Sequence, residues 1–579
     1  MRFVFINNKI YNLNMETKTC QNCRKEFTID SEDFNFYEKI HVPPPTFCSY
    51  CRMIRRMSFG NLSKFYKRPC DKCKKSTICL YAPDKPCNMY CNECWWKDDW
   101  DGTEYGMDYD PNKPFFEQLI ELRKKSIFVA LESLYPSLVN TKYTNNSSYQ
   151  KNCFMTIYAD FDEHCAYTVF TYKTKDCLDC YRVKKSELCY ECVGIYKCYN
   201  CKWSEELDNC VDCFFCQSCY GCTNCIGCVN LHGSSYKIFN KQYTKEEYLK
   251  KLKKLALNTY KGQQKMKKDA EEFWQKSIKR EYHGNSLNKN VSGEYVYVSR
   301  NTKDAFLVSG AEDCRYAQYL TIKGSKDCYD YTGWGSNSSL LYECYIIGQG
   351  AYNNKFCAEC WPEARDLEYC YYCIEGKDCF GCVNLKRKKY CILNKQYAKE
   401  EYFKLKKRII ADIKKNPWKS KAGHIYTYGE FLPPELSPYS YNETIAYEYN
   451  PLLKDEIEKS GYNWYEIPKS KYDITFKTEL LPETFLETSE NIKNEVIQCS
   501  TCDKGYNISQ VEFELLKSFN QPVPHSCPNC RHKRRFNRTN KPELYDRNCD
   551  KCDIEIKTPY SPDRPEIVYC VKCYQQEVY

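Results

Sequence analysis

The chain has 579 residues, of which 43 are cysteine and 54 are tyrosine, and its formal net charge is +10. A hydrophobic share of 42% beside 28% charged residues is enough for buried cores, which excludes a wholly disordered chain. No run approaches 18 consecutive apolar residues and no secretory signal opens the chain, so we expect an intracellular, cytoplasmic protein without a membrane segment. In a reducing compartment, dense Cys-x-x-Cys pairs indicate metal binding in preference to disulfides.

The first two elements are a short N-terminal segment and a cysteine module. Residues 1–18 are interpreted as a leader or an alternative start, because Met15 follows a short apolar run. Residues 19–106 carry four Cys-x2-Cys pairs separated by 24, 18 and 17 residues. Zinc takes four soft ligands in a tetrahedron, and each pair delivers two sulfurs to one ion. Two consecutive pairs therefore predict one closed structural zinc site, so that the module holds two.

A helical connector over 107–139 leads into two central cysteine-rich repeat blocks, residues 140–243 and 286–397. In the first block Cys153, Cys165, Cys177 and Cys189 stand twelve residues apart. The segment from Gly227 to Tyr243 returns 154 residues later, from Gly381 to Tyr397, so the middle of the chain is duplicated.

Short repeats of this kind favour a β-solenoid in which small cysteines point inward and stack. A string of further zinc knuckles is the alternative, and a disulfide or redox ladder is the third interpretation. Helical struts are predicted at 244–285 and 398–418, where Lys-rich, helix-favouring sequence has few breakers. A Pro/Tyr-rich linker region is predicted at 419–495.

The last element, residues 496–579, repeats the first module with every cysteine interval unchanged and an offset of 479 residues. The spacing therefore predicts four zinc ions with four cysteine ligands each. The predicted ligands are Cys20, Cys23, Cys48, Cys51, Cys70, Cys73, Cys91, Cys94, Cys499, Cys502, Cys527, Cys530, Cys549, Cys552, Cys570 and Cys573. The fold class predicted for the whole chain is mainly β with α, with a tandem four-cysteine zinc-ribbon module at each end.

The stretch from Cys20 to Arg56, Cys-x2-Cys-Arg-Lys-Glu-Phe followed by Cys-x2-Cys-Arg, resembles the probable zinc-ribbon family of treble-clef type. Longer stretches, such as 429–438 and 560–570, are similar to uncharacterised Cys-rich proteins of candidate-phyla-radiation bacteria and large DNA viruses. The resemblance implies structural zinc and supplies no activity. A viral origin would add the virion or the viral factory as a location.

We find none of the nucleotide-binding, metalloprotease or serine-hydrolase motifs that carry catalysis, and only seven histidines. An enzyme is therefore not expected, with thiol redox activity as the remaining catalytic alternative. No small-molecule substrate is evident.

Three functions remain. The first is a structural or interaction protein, an adaptor or scaffold with a protein partner or self-assembly, because duplicated modules can bridge two copies of a partner. The second is nucleic-acid binding through an arginine-rich edge after the second knuckle of each module. The third is thiol or metal buffering, which needs exposed, reactive thiols. The candidate nucleic-acid contacts are Arg52, Arg55, Arg56, Arg531, Lys533, Arg534, Arg535 and Arg538. These arginines have an alternative role, in which they pack on their own module or donate to its sulfurs.

Overall fold

The protein is described by a computed structural model over residues 3–6, 9–12, 15–62, 64–285, 287–320, 324–333, 335–360, 363–468 and 473–578. It divides into two compact units, and each is assembled from two separate stretches of chain. Unit 1 comprises Met1–Ala130 and His283–Glu466, and unit 2 comprises Leu131–Tyr282 and Ile467–Tyr579. The N-terminal cysteine module thus belongs with the second repeat block, and the C-terminal module belongs with the first. The predicted leader, residues 1–18, lies partly outside the described residues.

The described part of the chain is mixed α/β, with twelve α-helices and many small sheets. The helices are α1 (Ser31–Lys39), α2 (Ser49–Met57), α3 (Asn92–Trp95), α4 (Phe115–Lys125), α5 (Lys245–Lys254), α6 (Tyr260–Gln275), α7 (Lys399–Lys415), α8 (Ile445–Tyr449), α9 (Lys454–Lys459), α10 (Gln510–Phe519), α11 (Pro528–Asn537) and α12 (Val571–Val578). None of these helices combines the length and the apolar character needed to cross a membrane.

The strands are short, and most of those in the cysteine modules form two-stranded antiparallel hairpins. They are β1 (Phe3–Ile6), β2 (Lys9–Asn12), β3 (Glu16–Thr19), β4 (Glu26–Ile29), β5 (Tyr66–Pro69), β6 (Ser76–Cys79), β7 (Asn88–Tyr90), β8 (Ile127–Val129), β9 (Ile157–Asp160), β10 (Val169–Tyr172), β11 (Val211–Phe214), β12 (Thr223–Ile226), β13 (Ser235–Ile238), β14 (Lys241–Gln242), β15 (Lys279–Arg280), β16 (Lys289–Tyr297), β17 (Arg300–Ser309), β18 (Ala311–Glu312), β19 (Ser325–Tyr329), β20 (Ser339–Tyr342), β21 (Arg365–Glu368), β22 (Lys377–Phe380), β23 (Lys389–Ile392), β24 (Lys395–Gln396), β25 (Trp418–Lys419), β26 (Ile425–Tyr426), β27 (Ile497–Gln498), β28 (Gly505–Tyr506), β29 (Tyr545–Asn548), β30 (Glu555–Thr558) and β31 (Val568–Tyr569).

The two repeat blocks are parallel ladders. In ladder 1, residues 139–242, bridged residues pair in parallel with the residue twelve positions later, from Val139 with Lys151 to Ile226 with Ile238, and the closing hairpin of β13 and β14 is antiparallel. Ladder 2, residues 284–396, pairs in the same way at steps of 11 to 14 residues. Consecutive segments of each block, about twelve residues long, therefore pair with one another in parallel.

Every third residue of ladder 1 has a positive φ, as at Asn152 (54°), Met155 (53°), Tyr158 (51°) and Phe161 (60°). Left-handed backbone turns the chain sharply, so each 12-residue coil has four corners and four short sides. The residue after a corner points inward, and most of these inward residues are Cys, Ser, Thr, Ala or Val, with larger side chains at positions such as Gln150 and Leu207. One inward column contains only cysteine: Cys153, Cys165, Cys177, Cys189, Cys201, Cys213 and Cys225, each at most 2% exposed.

The inward thiols are packed and hydrogen-bonded in the interior of the ladder. Cys180 Sγ donates to the carbonyl of Leu178 at 3.4 Å and to that of Cys189 at 3.5 Å, nine residues later. All cysteines of the chain are free thiols in the structure. Among the residues described, only the terminal modules gather three or more possible metal ligands. This arrangement favours packing over further zinc knuckles as the role of the central cysteines.

Each ladder closes with an asparagine, which explains why its last coil is duplicated in the sequence. Asn240 accepts from the Val229 amide at 3.0 Å and donates to its carbonyl at 2.9 Å. Asn394 forms the same pair of bonds with Val383, both at 2.8 Å. The predicted helices follow as α5 and α7, which bury Tyr248 and Tyr402. The region predicted as a linker carries β25, β26, α8 and α9 and is shared between the two units.

Candidate metal centres and arginine clamps

The structure brings the sixteen predicted ligands together in four groups, two in each cysteine module. Within a group the four Sγ atoms all lie within 4.8 Å of one another. The groups are Cys20, Cys23, Cys48 and Cys51; Cys70, Cys73, Cys91 and Cys94; Cys499, Cys502, Cys527 and Cys530; and Cys549, Cys552, Cys570 and Cys573. Cys79 and Cys87 stand outside these groups.

The same backbone turn builds the first knuckle of every group. The residue after its second cysteine has a positive φ, at Arg24, Lys74, Asp503 and Asp553. The amide of the first cysteine donates to the carbonyl five residues later at 2.8–2.9 Å, as from Cys20 to Lys25. The second knuckle opens a helix in each case: α2, α3, α11 and α12 start directly after its first cysteine. A helix N-terminus favours the thiolate that a metal needs.

The sulfur geometry fits a tetrahedral metal ion. One Sγ–Sγ distance is 3.8 Å in every group, for example from Cys23 to Cys48 and from Cys552 to Cys570. A Zn–S bond of about 2.3 Å gives a tetrahedral edge of about 3.8 Å. Four thiolates would fill the coordination sphere and leave no position for water, so the donor set is that of a structural site.

Amide groups in each site stabilise thiolate charge. The Cys527 amide donates to Cys499 Sγ at 3.1 Å, and the Cys570 amide donates to Cys549 Sγ at 3.2 Å. Burial acts to raise the pKa of Cys549, but hydrogen bonds from backbone amides outweigh it and lower the pKa to about 6. Burial is opposed in the same way at Cys70 and Cys499, where the pKa falls to about 7.

Acidification is expected to release the bound metal. The pKa values of Cys70, Cys499 and Cys549 lie below the ordinary thiol value of 9.0, so these three sulfurs lose their negative charge as the pH falls through about 7 and 6, and a protonated thiol does not hold a metal ion. A colorimetric metal indicator should therefore report little release at pH 7.5 and progressive release between about pH 6 and 4. Return to pH 7.5 with added metal should restore the sites. Retention of all metal at pH 4 would contradict this assignment of the charge.

Helices α2 and α11 begin at the second knuckle of the first group in each module. They carry the predicted arginine clusters, and most of these arginines are buried. In unit 1, Arg52 Nε lies 2.7 Å from Asp330 Oδ2, and Arg55 Nη2 lies 2.7 and 2.8 Å from the two carboxylate oxygens of Glu343. Arg56 lies 3.6 Å from Asp330 and donates to Thr332 and Gln318. We call these three arginines with Asp330 and Glu343 the clamp of unit 1.

Unit 2 has an equivalent clamp, formed by Arg531, Arg534 and Arg535 with Asp179 and Glu191. Arg531 Nε lies 3.1 Å and Arg535 Nη2 lies 2.9 Å from Asp179, while Arg535 Nη1 is 3.2 Å from Glu191. Arg534 also pairs with Glu191. Burial opposes the charge of Arg531, yet Asp179 and Glu512 raise its pKa well above the usual value.

The two clamps are formed by equivalent positions of the duplicated sequence. The arginines differ by the module offset of 479 residues, and the carboxylates belong to phrases that occur in both ladders, Cys-x-Asp and Tyr-Glu-Cys. Asp179 and Glu191 occupy one corner of successive coils, with φ of 54° each, and Asp330 and Glu343 do the same at 60° and 56°. All four carboxylates are fully buried. The duplicated phrases were a signal for these partners that our sequence analysis did not use.

The predicted phosphate-contacting edge is therefore not supported by the structure. Five of the eight candidates, Arg52, Arg55, Arg56, Arg531 and Arg535, are at most 3% exposed, and carboxylates of a ladder occupy their guanidinium groups. Arg534 and Arg538 are partly buried and paired with Glu191 and Glu205, so that only Lys533 is exposed. The alternative role, packing on their own module, is found in part. Arg531 donates to Glu512 at 2.8 Å and Arg52 donates to the Phe47 carbonyl at 2.7 Å, each within its own module, in addition to the pairs with a ladder.

No protein-family model matches the chain, and no curated protein sequence matches it. The resemblance to zinc-ribbon proteins remains a prediction.

Proposed function

We propose that this is a non-enzymatic zinc protein with a scaffold or adaptor role. In each unit, a zinc module would hold together the two stretches of chain that form that unit. The observation that carries the proposal is the pair of arginine clamps. In each unit, the helix that begins at a metal knuckle inserts its arginines between two carboxylates of a ladder. A metal ion that fixes the knuckle thereby fixes the position of the arginines, so zinc would hold together stretches of chain far apart in sequence.

Zinc is the metal that the donor set favours. Four thiolates at tetrahedral spacing suit Zn²⁺, and knuckles of the Cys-x2-Cys type are its usual structural ligands. The proposed ions would stabilise folding and would not take part in a reaction, since all four positions of each ion are occupied by sulfur.

We infer that both ladders are β-solenoids, which makes them stiff supports for the modules. Parallel pairing at a constant step, corners with positive φ and an inward column of small side chains support this interpretation. The duplication of the whole unit supports an adaptor role, since two similar units can engage two partners or two copies of one partner.

Thiol or metal buffering is the competing function, and the ladder cysteines argue against it. A buffering thiol must be accessible and reactive, whereas the ladder thiols are at most 3% exposed. At Cys344 burial is the largest cause of the shift, and it raises the pKa of that thiol well above the usual value.

Metal analysis combined with thiol titration tests the proposal. Protein purified without reductant should contain four zinc ions per chain, which exchange with a ⁶⁷Zn-enriched buffer over hours and not within minutes. The 27 cysteines outside the four sites should react slowly with Ellman's reagent in the native protein, and all 43 should react in denaturant with chelator. Eight or more zinc ions per chain would contradict the scaffold proposal and favour a buffering function. Fast zinc exchange together with fast reaction of the thiols would do the same.

A further inference from the structure

One corner of ladder 1 carries an exposed row of like charges. Lys173, Lys185 and Lys197 stand at equivalent corners of successive coils, with φ of 54°, 50° and 52°. Their amides each donate to the coil before, at 2.8–3.0 Å. Since neighbouring coils of a parallel ladder are about 4.8 Å apart, the three exposed side chains form a short column, which we call the lysine column.

No carboxylate of the described residues forms an ion pair with the lysine column. The ammonium groups lie instead over aromatic rings: Lys173 over Phe161 at 5.6 Å, and Lys185 and Lys197 over Tyr196 at 5.6 and 5.3 Å. Like charges on adjacent strands repel each other. The Asp208 carboxylate is near enough to Lys197 for that lysine to act on its pKa, and an anion lying along the whole column would relieve the remaining repulsion.

The adjacent column of ladder 1 shows the usual solution to this repulsion. There Lys151, Glu163, Lys175 and Glu187 alternate in sign along the same axis. Lys151 Nζ lies 3.0 Å from Glu163 Oε1. The ladder can therefore neutralise its own stacked charges, and at the lysine column it does not.

Ladder 2 shows that the lysines are not needed to form a corner. The sequence Lys-Asp-Cys-x-Asp occurs at 175–179 in ladder 1 and at 326–330 in ladder 2, so Asp176 and Asp327 are equivalent. Three residues before them stand Lys173 and Gly324, and the corner of ladder 2 that begins at Gly324 continues with Asn337 and Gly350. The Asn337 side chain lies over Gly324, which confirms that these positions stack. The lysine column is thus an addition of ladder 1 to a shared framework.

Two aromatic residues continue the same corner. Phe161 and Tyr149 stack with ring centroids 4.8 Å apart and planes at 7°, and they are 45% and 54% exposed. Phe161 stacks on one face of Tyr149, and Tyr149 is still 54% exposed, so a further planar group has access to its ring.

We propose that this corner of ladder 1 binds single-stranded nucleic acid, with phosphates along the lysine column and a base stacked on the exposed ring of Tyr149. A cationic track joined to exposed aromatic rings is the general pattern of sequence-tolerant single-strand binding. Nucleic acid is favoured over an acidic peptide because only the former supplies both the row of anions and the planar group. The inference does not depend on the zinc sites, because the lysine column and the two aromatic residues belong to none of the four cysteine groups.

Fluorescence anisotropy with a labelled 20-nucleotide poly(U) strand and the full-length, metal-loaded protein tests this. Three phosphate contacts predict a slope of log affinity against log salt of about −2, so affinity should fall roughly twentyfold between 50 and 200 mM salt. The triple variant Lys173→Asn, Lys185→Asn, Lys197→Asn should bind at least tenfold more weakly with a slope near zero. Asparagine tolerates these corners, as Asn337 shows in ladder 2.

Three further variants isolate the cause. Lys142→Asn, Lys151→Asn, Lys175→Asn removes the same charge from other exposed positions of ladder 1 and should leave binding unchanged. Tyr149→Asn should weaken binding of the nucleic acid about tenfold and should not change binding of poly-glutamate. Absence of binding by the unaltered protein, equal losses in the two triple variants, or poly-glutamate competing as well as poly(U) with no effect of Tyr149→Asn would each overturn the proposal. The replacement of all three lysines by arginine should retain binding, which separates loss of charge from loss of fold.

Discussion

Removal of the metal is expected to unfold both units. A structural zinc ion contributes about 10–16 kcal/mol of apparent binding energy in small zinc-finger peptides, which exceeds or equals the 5–15 kcal/mol net stability of a typical domain. A metal ion in the first group of each module would also fix the helix that carries the clamp arginines, so its loss should release the arginines from a ladder. Chelation at neutral pH should abolish slow amide hydrogen exchange in both modules and in the coils around Asp179 and Asp330.

Single ligand variants should confine this effect to one unit. Cys51→Ser should speed amide hydrogen exchange in unit 1. Cys530→Ser, the same position in the other module, should speed it in unit 2. Hydrogen exchange read by mass spectrometry gives both units in one experiment. Cys87→Ser is the matched control, because this thiol lies in the N-terminal module and belongs to none of the four groups. If Cys51→Ser left the protection of ladder 2 unchanged, the metal would not fasten the unit.

The second large effect is expected when a clamp loses one carboxylate. Asp179→Ala should destabilise unit 2 by about 3–5 kcal/mol, since Arg531 and Arg535 would remain buried and charged without their shared partner. Asp330→Ala should do the same in unit 1, where Arg52 and Arg56 share that carboxylate. Urea unfolding followed by hydrogen exchange in each unit measures both changes.

A control and a compensating variant make this test specific. Asp176→Ala alters a partly exposed neighbour that pairs with His164, and it should cost less than about 1 kcal/mol. Asp179→Ala combined with Arg531→Met and Arg535→Met should recover part of the loss, because the uncompensated charges are removed with the carboxylate. If Asp179→Ala alone lowered the free energy of unfolding by less than about 1 kcal/mol, the clamp would not be a major source of the stability of unit 2.

The metal sites were predictable because their information is local. Cys-x2-Cys pairs at fixed intervals, present twice, identify the ligands of each group without any knowledge of the fold. The 12-residue step of the parallel pairs in ladder 1 was visible for the same reason, since the cysteines of that block repeat at the same interval. The closing coil with Asn240 or Asn394 was recognised as a repeat, although its bonding was not.

The partners of the arginines could not be predicted from spacing. Arg55 and Glu343 are 288 residues apart, and nothing local indicates which of two similar ladders receives which module. An arginine cluster on a helix has the same appearance in sequence whether it faces solvent or a buried carboxylate. The prediction of a nucleic-acid edge at the modules failed for this reason, because burial of a charge is decided by tertiary contacts.

The separation of Arg55 from Glu343 has a consequence for how the chain is made. At about 5–20 residues per second, the ribosome completes the 288 intervening residues in about 15–60 s. During that interval the N-terminal module can fold around its metal, but its basic helix has no carboxylate to meet. In unit 2 the order is reversed: ladder 1 is synthesised first, and its acidic corner waits for the arginines of the last module. Each unit therefore spends its synthesis with one half of a clamp uncovered, positive in one case and negative in the other.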